Sequence, residues 1–185
     1  MRRLVVTENI TVDGVIDASE GWFAPSGGDD VDSSDIEDAI RQQREAADAL
    51  LVGRVTFEQL RGYWPHQHDD RTGISDYLNA VSKYVVSSTL ADPGWENTTV
   101  LGGPVLDQVR ALKAQPGKDI VATGSMTLVR ALIAAGLVDE YRLFVYPIAL
   151  GRGQRLFPDV RGLTLRLAQA LPFRSGVVLL RYRPA

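Results

Sequence analysis

The order of short apolar runs along the chain restricts its fold more than any other feature. Runs rich in valine, leucine and aromatic residues, bounded by glycine, proline or serine, are typical of strands. Eight such runs occur, at residues 4–6, 49–53, 83–88, 99–101, 119–124, 141–146, 163–171 and 176–183. Helical patterns separate several of the first six runs, and this alternation predicts a largely parallel sheet with crossover helices.

The last two runs follow one another without an intervening helix. Residues 163–171 alternate leucines with polar or small residues, which is typical of a half-buried strand. We therefore expect antiparallel strands at one edge of a mixed sheet. With 185 residues, of which 45% are hydrophobic and 23% charged, the chain fits one globular α/β domain over residues 1–185.

Three helices are predicted between the strands. Residues 34–49 repeat apolar residues at helical spacing. A second helix opens at Pro104, because proline suits the first helical position. A third lies between Ser125 and Gly136, which are residue types that begin and end helices. The long irregular stretch 19–35 has the length of a functional or mobile loop.

Composition and charge exclude several classes of protein. The chain has no cysteine, so disulfides, thiolate nucleophiles, iron–sulfur clusters and cysteine–zinc sites are ruled out. The net charge is −3 without a basic run, so we expect no nucleic-acid partner. The apolar runs are too short to span a bilayer and no signal-peptide cleavage site follows the first strand, so we expect no membrane partner and a cytoplasmic protein.

One polar segment resembles a metal site in composition. It contains His66, His68, Asp69 and Asp70 within "YWPHQHDD". Zinc and iron sites usually draw their ligands from fixed elements, whereas this segment reads as a loop with a proline. We therefore expect no metal.

Polar residues follow three of the predicted strands. In parallel sheets, ligands collect at the carboxyl ends of strands, where helix N-termini present unpaired N–H groups. The residues concerned are Gly53, Arg54 and Thr56; Ser87, Ser88 and Thr89; and Thr123, Gly124 and Ser125. Glycines permit close approach, hydroxyls bind phosphate oxygens and a guanidinium pairs with a phosphate monoester. The set suits a pyrophosphate with a 2′-phosphate, and therefore NADP rather than NAD.

Each of these groups also has a purely structural interpretation. Thr56 and Gln59 have the spacing of a helix-capping box, and Ser125 is a typical N-cap residue. Serine and threonine after a strand are ordinary turn residues, and a single arginine such as Arg54 is commonly a surface residue. Neither the three-glycine dinucleotide fingerprint nor the phosphate loop ending in Gly-Lys-Ser/Thr is present.

Several stretches together carry a family resemblance. They are "TVDGVI" (11–16), "LLVGRVTFE" (50–58), "KYVVSS" (83–88), and the segment 120–157 that runs from "IVATGSM" through "LVDEYRL" to "LGRGQRLF". They occur in the right order over nearly the whole chain. The chain resembles the dihydrofolate reductase superfamily, in particular the RibD C-terminal domain-like branch shared with the reductase domain of bacterial riboflavin biosynthesis.

The resemblance implies a fold, a cofactor and an assembly. The fold would be a three-layer α/β/α dihydrofolate reductase-like sandwich around a mixed eight-stranded sheet, with a parallel core and antiparallel C-terminal strands. NADPH would lie across the strand ends, and the protein would be a homodimer. Arg54 and Ser88 would hold the adenosine 2′-phosphate, and Thr56 the pyrophosphate.

The resemblance also assigns the nicotinamide side of the site. Gly124, Ser125 and Met126 would hold the phosphates and the nicotinamide side, and Asp13 with Gly14 would line the nicotinamide pocket. A tight hairpin turn is the alternative for Asp13-Gly14. Dihydrofolate reductases usually carry two adjacent glycines where this chain has Gly124-Ser125, and the serine is compatible with the riboflavin-type branch.

The resemblance also implies a catalytic acid, and the aromatic residues suggest a substrate pocket. A carboxylate at the start of the first long helix points to Glu37, with Asp35 and Asp38 as competitors. Glu37 also has capping-box spacing from the serine three residues earlier. Aromatic faces stack on planar rings, so the candidate walls of a substrate pocket are Trp22, Phe23, Tyr63 and Trp64. Arg152 and Arg155 are either ligands of a substrate phosphate or solvated loop charges.

Three functions are consistent with these residues. The first is an NADPH-dependent reductase acting on a ribosylaminopyrimidine phosphate, without the zinc deaminase found in bifunctional relatives, whose motif is absent. The second is a dihydrofolate or pterin reductase, in which a carboxylate would bind the ring. The third is a non-catalytic NADPH-binding protein that keeps the same fold.

Overall fold

Eight strands and five helices make up the chain in the computed structural model, which describes residues 1–17, 21–23, 32–67, 70, 72–157 and 162–185. The strands are β1 (Leu4–Thr11), β2 (Ala47–Gly53), β3 (Ser82–Val86), β4 (Thr98–Leu101), β5 (Asp119–Ala122), β6 (Glu140–Tyr146), β7 (Leu165–Pro172) and β8 (Val178–Pro184). The helices are α1 (Ser34–Glu45), α2 (Arg54–Tyr63), α3 (Ile74–Ala80), α4 (Val105–Ala114) and α5 (Met126–Ala134), and a 3-10 turn spans Trp64–His66.

The strands form one mixed sheet in the order β4-β3-β2-β5-β1-β6-β8-β7. The first six are mutually parallel, and β8 and β7 complete one side in antiparallel orientation. The predicted parallel core with antiparallel C-terminal strands is confirmed. Because β3, β2 and β5 are neighbours, the carboxyl ends of these strands lie side by side at one edge of the sheet.

Helices cover both faces of the sheet, which gives the predicted three layers. Leu51 packs into a core cluster with residues of α4 and α5, such as Val109 and Val129. Its neighbour Leu50 belongs to a second cluster with Phe57 of α2 and residues of α3. Successive strand residues point to opposite faces, so one apolar strand supplies both cores. Helix α1 packs over the β6 and β8 side of the sheet.

The structure departs from the predicted elements in two places. Helix α1 ends at Glu45 rather than at residue 49, because β2 already begins at the buried Ala47. Helix α3 was not predicted from sequence. It has only seven residues and begins after Gly73 in the left-handed conformation, so it offers too short a pattern to recognise. Within the described ranges, no helix is both long and apolar enough to cross a bilayer.

A buried cluster of charges lies at the amino ends of the parallel strands. Glu140 is fully buried, and its carboxylate accepts hydrogen bonds from Arg142 at 2.7 Å, Arg181 at 2.8 Å and Arg183 at 3.0 Å. Burial raises the pKa of Glu140, but the arginine hydrogen bonds outweigh that effect and bring the pKa to about 2. The carboxylate therefore stays ionised and links β6 to β8.

Replacing Glu140 tests this cluster. Glu140→Gln removes the buried carboxylate that three arginines share, and although Arg142 keeps its contact with Asp119, we expect the free energy of unfolding to fall by about 3 kcal/mol at neutral pH. Because the folded-state pKa is depressed, the stabilisation is present above the ordinary value of 4.5 and is lost as pH falls towards about 2. The difference in the free energy of unfolding between wild type and variant, measured by urea titration, should shrink over that window.

The exposed pair Asp107–Arg110 is the control, since Asp107→Asn should change the free energy of unfolding by under about 0.5 kcal/mol. A pH-independent difference would contradict this account.

Candidate active site

Two hydrogen bonds join the strand–helix corners at the ends of β2 and β5. The Gly53 N–H donates to Ser125 Oγ at 2.8 Å, and the Ser125 N–H donates to Thr56 Oγ1 at 3.0 Å. We call this the corner clip. It fixes the first turn of α2 against the first turn of α5, so that both helices begin at the same place on the sheet edge.

The backbone at the β5 corner requires a glycine. Gly124 has a φ of +57°, and Ser125 follows with a φ of +49°. A Cβ atom on Gly124 would lie 3.2 Å from both Cγ2 and Oγ1 of Thr56, which is closer than most Cβ contacts. The close approach of the two corners therefore depends on the missing side chain at residue 124.

The hydroxyls at these corners do not cap their own helices. Gly53 is the N-cap of α2 and Ser125 the N-cap of α5, and neither helix has a side-chain capping hydrogen bond. The capping-box interpretation of Thr56 with Gln59 is therefore wrong, because the Thr56 hydroxyl reaches across to the other corner. The Thr56 and Ser125 oxygens each accept a backbone N–H bond, which leaves each hydroxyl able to donate its own hydrogen.

The turn after β3 lies beside the corner clip. Val86 pairs with Gly53 in the sheet, so Ser87 and the residues after it continue next to the start of α2. Ser87 Oγ accepts hydrogen bonds from the N–H groups of Thr89 and Leu90, which is ordinary turn chemistry. Ser88 and Thr89 are exposed at the edge. The three groups of polar residues predicted at strand ends are thus brought together.

Arg54 supplies a positive charge at this edge. It is the first residue of α2 and is nearly half exposed. Its Nη1 lies 2.9 Å from a carboxylate oxygen of Glu58, one turn along the helix. Exposed pairs of this kind are weak, so a phosphate can compete with Glu58 for the guanidinium.

Asp13 and Gly14 form a turn that anchors a neighbouring loop. Gly14 has a φ of +84°, and its N–H donates to the carbonyl oxygen of Thr11. The Asp13 carboxylate accepts hydrogen bonds from Thr11 Oγ1 and from the N–H groups of Leu150 and Gly151. The Thr11 bond is the main reason why the pKa of Asp13 is lowered. The side chain thus serves the turn, and its place in a nicotinamide pocket stays a prediction.

A cavity of about 430 Å³ opens next to the corner clip, on the side of the sheet covered by α1, α2 and α3. Its walls include three aromatic side chains, several aliphatic ones and a few polar groups. The lining residues are Thr7, Glu8, Asn9, Ile40, Gln43, Arg44, Leu50, Leu60, Trp64, Ile74, Tyr77, Leu78, Val121, Thr123 and Phe144. Thr123 lines the cavity and directly precedes Gly124. The cavity wall therefore adjoins the corner that follows β5. This size and lining suit a small planar molecule.

Glu8 is a buried carboxyl group that the sequence interpretation missed. It lies within β1 and has about 7% of its surface exposed. Its Oε1 atom has no hydrogen-bond partner among the described residues. Burial raises the pKa of Glu8 well above its ordinary value, and a hydrogen bond from the Gly124 N–H only partly opposes this. An acidic residue inside an apolar strand was the available signal, but the predicted strand stopped at residue 6.

The predicted catalytic acid lies outside the cavity lining. Glu37 is exposed in the first turn of α1, three residues before Ile40. Ser33 is the N-cap and makes no side-chain capping bond, so the capping-box interpretation of Glu37 is also wrong. The competing carboxylates are engaged elsewhere. Asp35 accepts a hydrogen bond from the Arg174 N–H, and Asp38 pairs with an exposed arginine.

Only one of the four aromatic residues predicted to form pocket walls lines the cavity. Trp64 lines the cavity, whereas Tyr63 beside it is exposed. Trp22 packs edge-on against Tyr146 with ring centroids 5.5 Å apart, and neither Trp22 nor Phe23 is among the lining residues. The structure therefore forms the aromatic walls from Trp64, Tyr77 and Phe144.

Neither the loop arginines nor His66 and Asp70 are among the residues that line the cavity. Arg152 and Arg155 are exposed in the loop that follows β6. His68 and Asp69 fall outside the described residues. The Asp70 carboxylate accepts N–H bonds from Thr72 and Ser75. Among the residues that the structure describes, no group of histidines and carboxylates is arranged to hold a metal ion.

Comparison with known proteins identifies the family of this chain. The family model described as RibD C-terminal domain matches residues 2–179. The chain belongs to this family. It is 32% identical to the protein YyaP of Bacillus subtilis (strain 168), described as uncharacterized, over 188 residues that cover 98% of this chain and 94% of YyaP. The predicted membership of the RibD C-terminal domain-like branch is confirmed.

Solved structures share the fold of this RibD C-terminal domain. A pyrimidine reductase-like protein from Corynebacterium diphtheriae superposes with a TM-score of 0.70 at 19% identity, covering all of this chain and 92% of that one. A deaminase/5-amino-6-(5-phosphoribosylamino)uracil reductase from Thermotoga maritima gives a TM-score of 0.66 at 14% identity, and this chain spans 57% of its length. At these identities the likeness shows the fold alone.

The dependence of the corner clip on Gly124 is testable by substitution. Gly124→Ala places a methyl group against Thr56, in addition to the cost of about 1–2 kcal/mol for an L-residue in the left-handed region. Gly136→Ala is the matched control, since Gly136 has a φ of +63° and open space around its Cβ position. We expect thermal denaturation to show a larger loss of stability for Gly124→Ala than for Gly136→Ala. Equal losses would mean that the two corners do not constrain one another.

Proposed function

We propose that this protein is an NADPH-dependent reductase that transfers a hydride to a pyrimidine- or pterin-type small molecule. The observation that carries the proposal is the position of the corner clip directly beside the cavity. Thr123 lines the cavity, Gly124 donates its N–H to Glu8, and Ser125 belongs to the clip. The proposed phosphate-binding edge at Ser125 and the cavity wall at Thr123 are thus separated by one residue of backbone.

The edge fits the phosphates of NADPH in charge and in hydrogen-bonding capacity. The first-turn N–H groups of α2 and α5 are not capped by side chains, and such groups favour anions. The hydroxyls of Thr56 and Ser125 can each donate to a pyrophosphate oxygen. Arg54 would pair with the 2′-phosphate, together with Ser88, which is exposed after the neighbouring strand. Met126 begins α5 and would lie towards the nicotinamide side.

The cavity would orient the ring that accepts the hydride. NADPH supplies the hydride when it is bound, and the protein contributes position and exclusion of water. Trp64, Tyr77 and Phe144 provide faces against which a planar ring can stack. Apolar residues such as Leu50 and Val121 keep water away from the reacting carbons.

We propose Glu37 as the group that supplies the proton accompanying the hydride. It lies in the first turn of α1, three residues before the lining residue Ile40. Its exposure allows it to exchange protons with solvent. The homodimer and the cytoplasmic location implied above stay predictions.

Substitution of Arg54 tests the choice of NADPH. Arg54→Ala removes a charge-assisted hydrogen bond of about 1.5–3 kcal/mol, and because Arg54 is nearly half exposed we expect the lower end, about a tenfold weaker Kd for NADPH. The Kd for NADH should change less than twofold, because NADH lacks the 2′-phosphate. Fluorescence titration with both cofactors measures this difference directly.

Two control variants make the titration specific. Arg110→Ala removes another exposed arginine from an intrahelical ion pair on α4, and it should leave both Kd values unchanged. Glu58→Gln removes the carboxylate that competes for Arg54 and should not weaken NADPH binding. Equal weakening of NADPH and NADH by Arg54→Ala would overturn the assignment. Binding of NADPH without turnover of any pyrimidine or pteridine would favour the non-catalytic alternative.

A further inference from the structure

Four arginines on β6, β7 and β8 lie on one face of the sheet, near the amino ends of the parallel strands. Arg142 is the register partner of Arg181, and Arg166 is the register partner of Arg183. Opposed residues and alternate residues of a strand point to the same face, so all four side chains share it. We call these four residues the arginine face. Like charges directly opposite each other destabilise a sheet, and an anion beside each pair would offset the repulsion.

The first pair has such an anion within the protein. Oε1 of the buried Glu140 accepts hydrogen bonds from Arg142 Nε at 2.7 Å and from Arg181 Nη2 at 2.8 Å. Asp119 accepts a further bond from Arg142 Nη2 at 2.9 Å. One carboxylate thus bridges the two opposed guanidinium groups. Even so, the buried Arg142 Nη1 has no hydrogen-bond partner among the described residues, so this cluster holds more donors than its carboxylates accept.

The second pair has no carboxylate of its own. Arg183 Nε donates to Glu140 Oε2 at 3.0 Å, so Arg183 shares the anion that serves the first pair. Arg166 is exposed on β7, and it forms no hydrogen bond or ion pair with any residue that the structure describes. The side chain of Arg183 is 43% exposed. Solvent therefore reaches both guanidinium groups of the pair that lacks a bridging anion.

The charges around the arginine face leave a surplus of positive charge. Arg3 donates to both oxygens of Asp119 at 2.9 and 3.0 Å, and its Nη1 lies 3.6 Å from Glu140. Arg3 and the arginine face together bring five guanidinium groups to these two carboxylates. The neighbouring carboxylate of Asp139 pairs with Lys113 at 2.6 Å and so does not reduce the surplus.

We propose that the exposed part of the arginine face binds a phosphate group between Arg166 and Arg183. The planar fork of a guanidinium matches the spacing of phosphate oxygens, and a dianion offsets the surplus charge better than a monoanion does. The ligand is the free phosphate ion or the phosphate monoester of a small molecule. The site lies at the opposite end of the strands from the corner clip, so the inference does not rest on the proposed reductase function.

Binding of inorganic phosphate to the full chain tests this site. We would measure the Kd by calorimetry with saturating NADPH present, so that the phosphate-binding groups of the corner clip are occupied. Thermal denaturation would compare sodium phosphate with sodium chloride at matched ionic strength, since both salts screen exposed charges. We expect phosphate to raise the Tm more than chloride does, because a ligand that binds only the folded protein stabilises it.

Variants at residue 166 assign the binding to the arginine face. Arg166 has no contact to lose, so Arg166→Gln should leave the Tm in chloride unchanged or higher and weaken phosphate at least about fivefold. Arg166→Lys keeps the charge without the fork and should retain part of the affinity. Arg166→Glu places a carboxylate opposite Arg183. We expect it to raise the Tm in chloride and to abolish the response to phosphate.

Two further arginine variants are the controls. Arg110→Gln removes an exposed arginine on α4 and should leave the Kd for phosphate unchanged. Arg54→Ala removes the positive charge beside the corner clip and should also leave it unchanged. A parallel titration with glycerol 3-phosphate separates the two sources of the phosphate group. Tighter binding than that of inorganic phosphate would identify a monoester ligand, and weaker binding would identify the free ion; both results support the site.

Other results would overturn the inference. They are an unchanged Kd for phosphate in Arg166→Gln, an equal gain in Tm from phosphate and chloride, and no binding of either phosphate compound to wild type. Loss of phosphate binding in Arg54→Ala would also overturn it, because that result places the ion at the corner clip. NADPH binding is measured in a separate titration of the same samples, so failure of the proposed cofactor site is detected independently.

Discussion

The exchange of hydrogen bonds between the two glycine corners is the interaction on which the proposed site depends. The Gly53 N–H reaches Ser125 Oγ, and the Ser125 N–H reaches Thr56 Oγ1. Parallel pairing brings β2 and β5 side by side, but it does not by itself fix how their following helices meet. The corner clip fixes how the two helices meet. It places the uncapped N–H groups at the starts of α2 and α5 side by side, where one anion could bind to both. The position of Arg54 at the start of α2 follows from that arrangement.

The charged and polar side chains are arranged differently at the two ends of the sheet. At the amino ends, both carboxylate oxygens of Glu140 accept hydrogen bonds from arginines. This cluster stabilises the fold by linking β6 to β8. At the carboxyl ends and in the cavity, donors and acceptors are left unpaired. Glu8, Gln43 and Arg44 all carry buried atoms without partners among the described residues. Buried polar groups are rarely left unsatisfied, and three of the six described side chains with such an atom line this one cavity; the others are Gln108, Arg130 and Arg142.

Much of the fold could be predicted because the sequence signals are local. Each of the eight strands contains an apolar run that can be recognised in the sequence. No helical pattern separates the last two runs, and this indicates that β7 and β8 pair in antiparallel orientation. The polar strand ends could be predicted for the same reason, since the carboxyl ends of parallel strands must share an edge. The cavity wall could not, because Gln43 and Arg44 look like solvated helix residues until β1 and α3 pack around them. The capping interpretations failed for a related reason. The partners of the Thr56 and Ser125 hydroxyls lie 69 and 72 residues away in sequence, beyond the reach of a local motif.

The central claim is that one phosphorylated dinucleotide spans the corners after β2, β3 and β5. Hydrogen–deuterium exchange followed by mass spectrometry, with and without saturating NADPH, tests it most directly. The account predicts slower amide exchange in peptides covering residues 53–58, 87–90 and 123–129, with no change in β7 at the far edge of the sheet. Slower exchange that is confined to one of these corners, or that lies elsewhere in the chain, would contradict it.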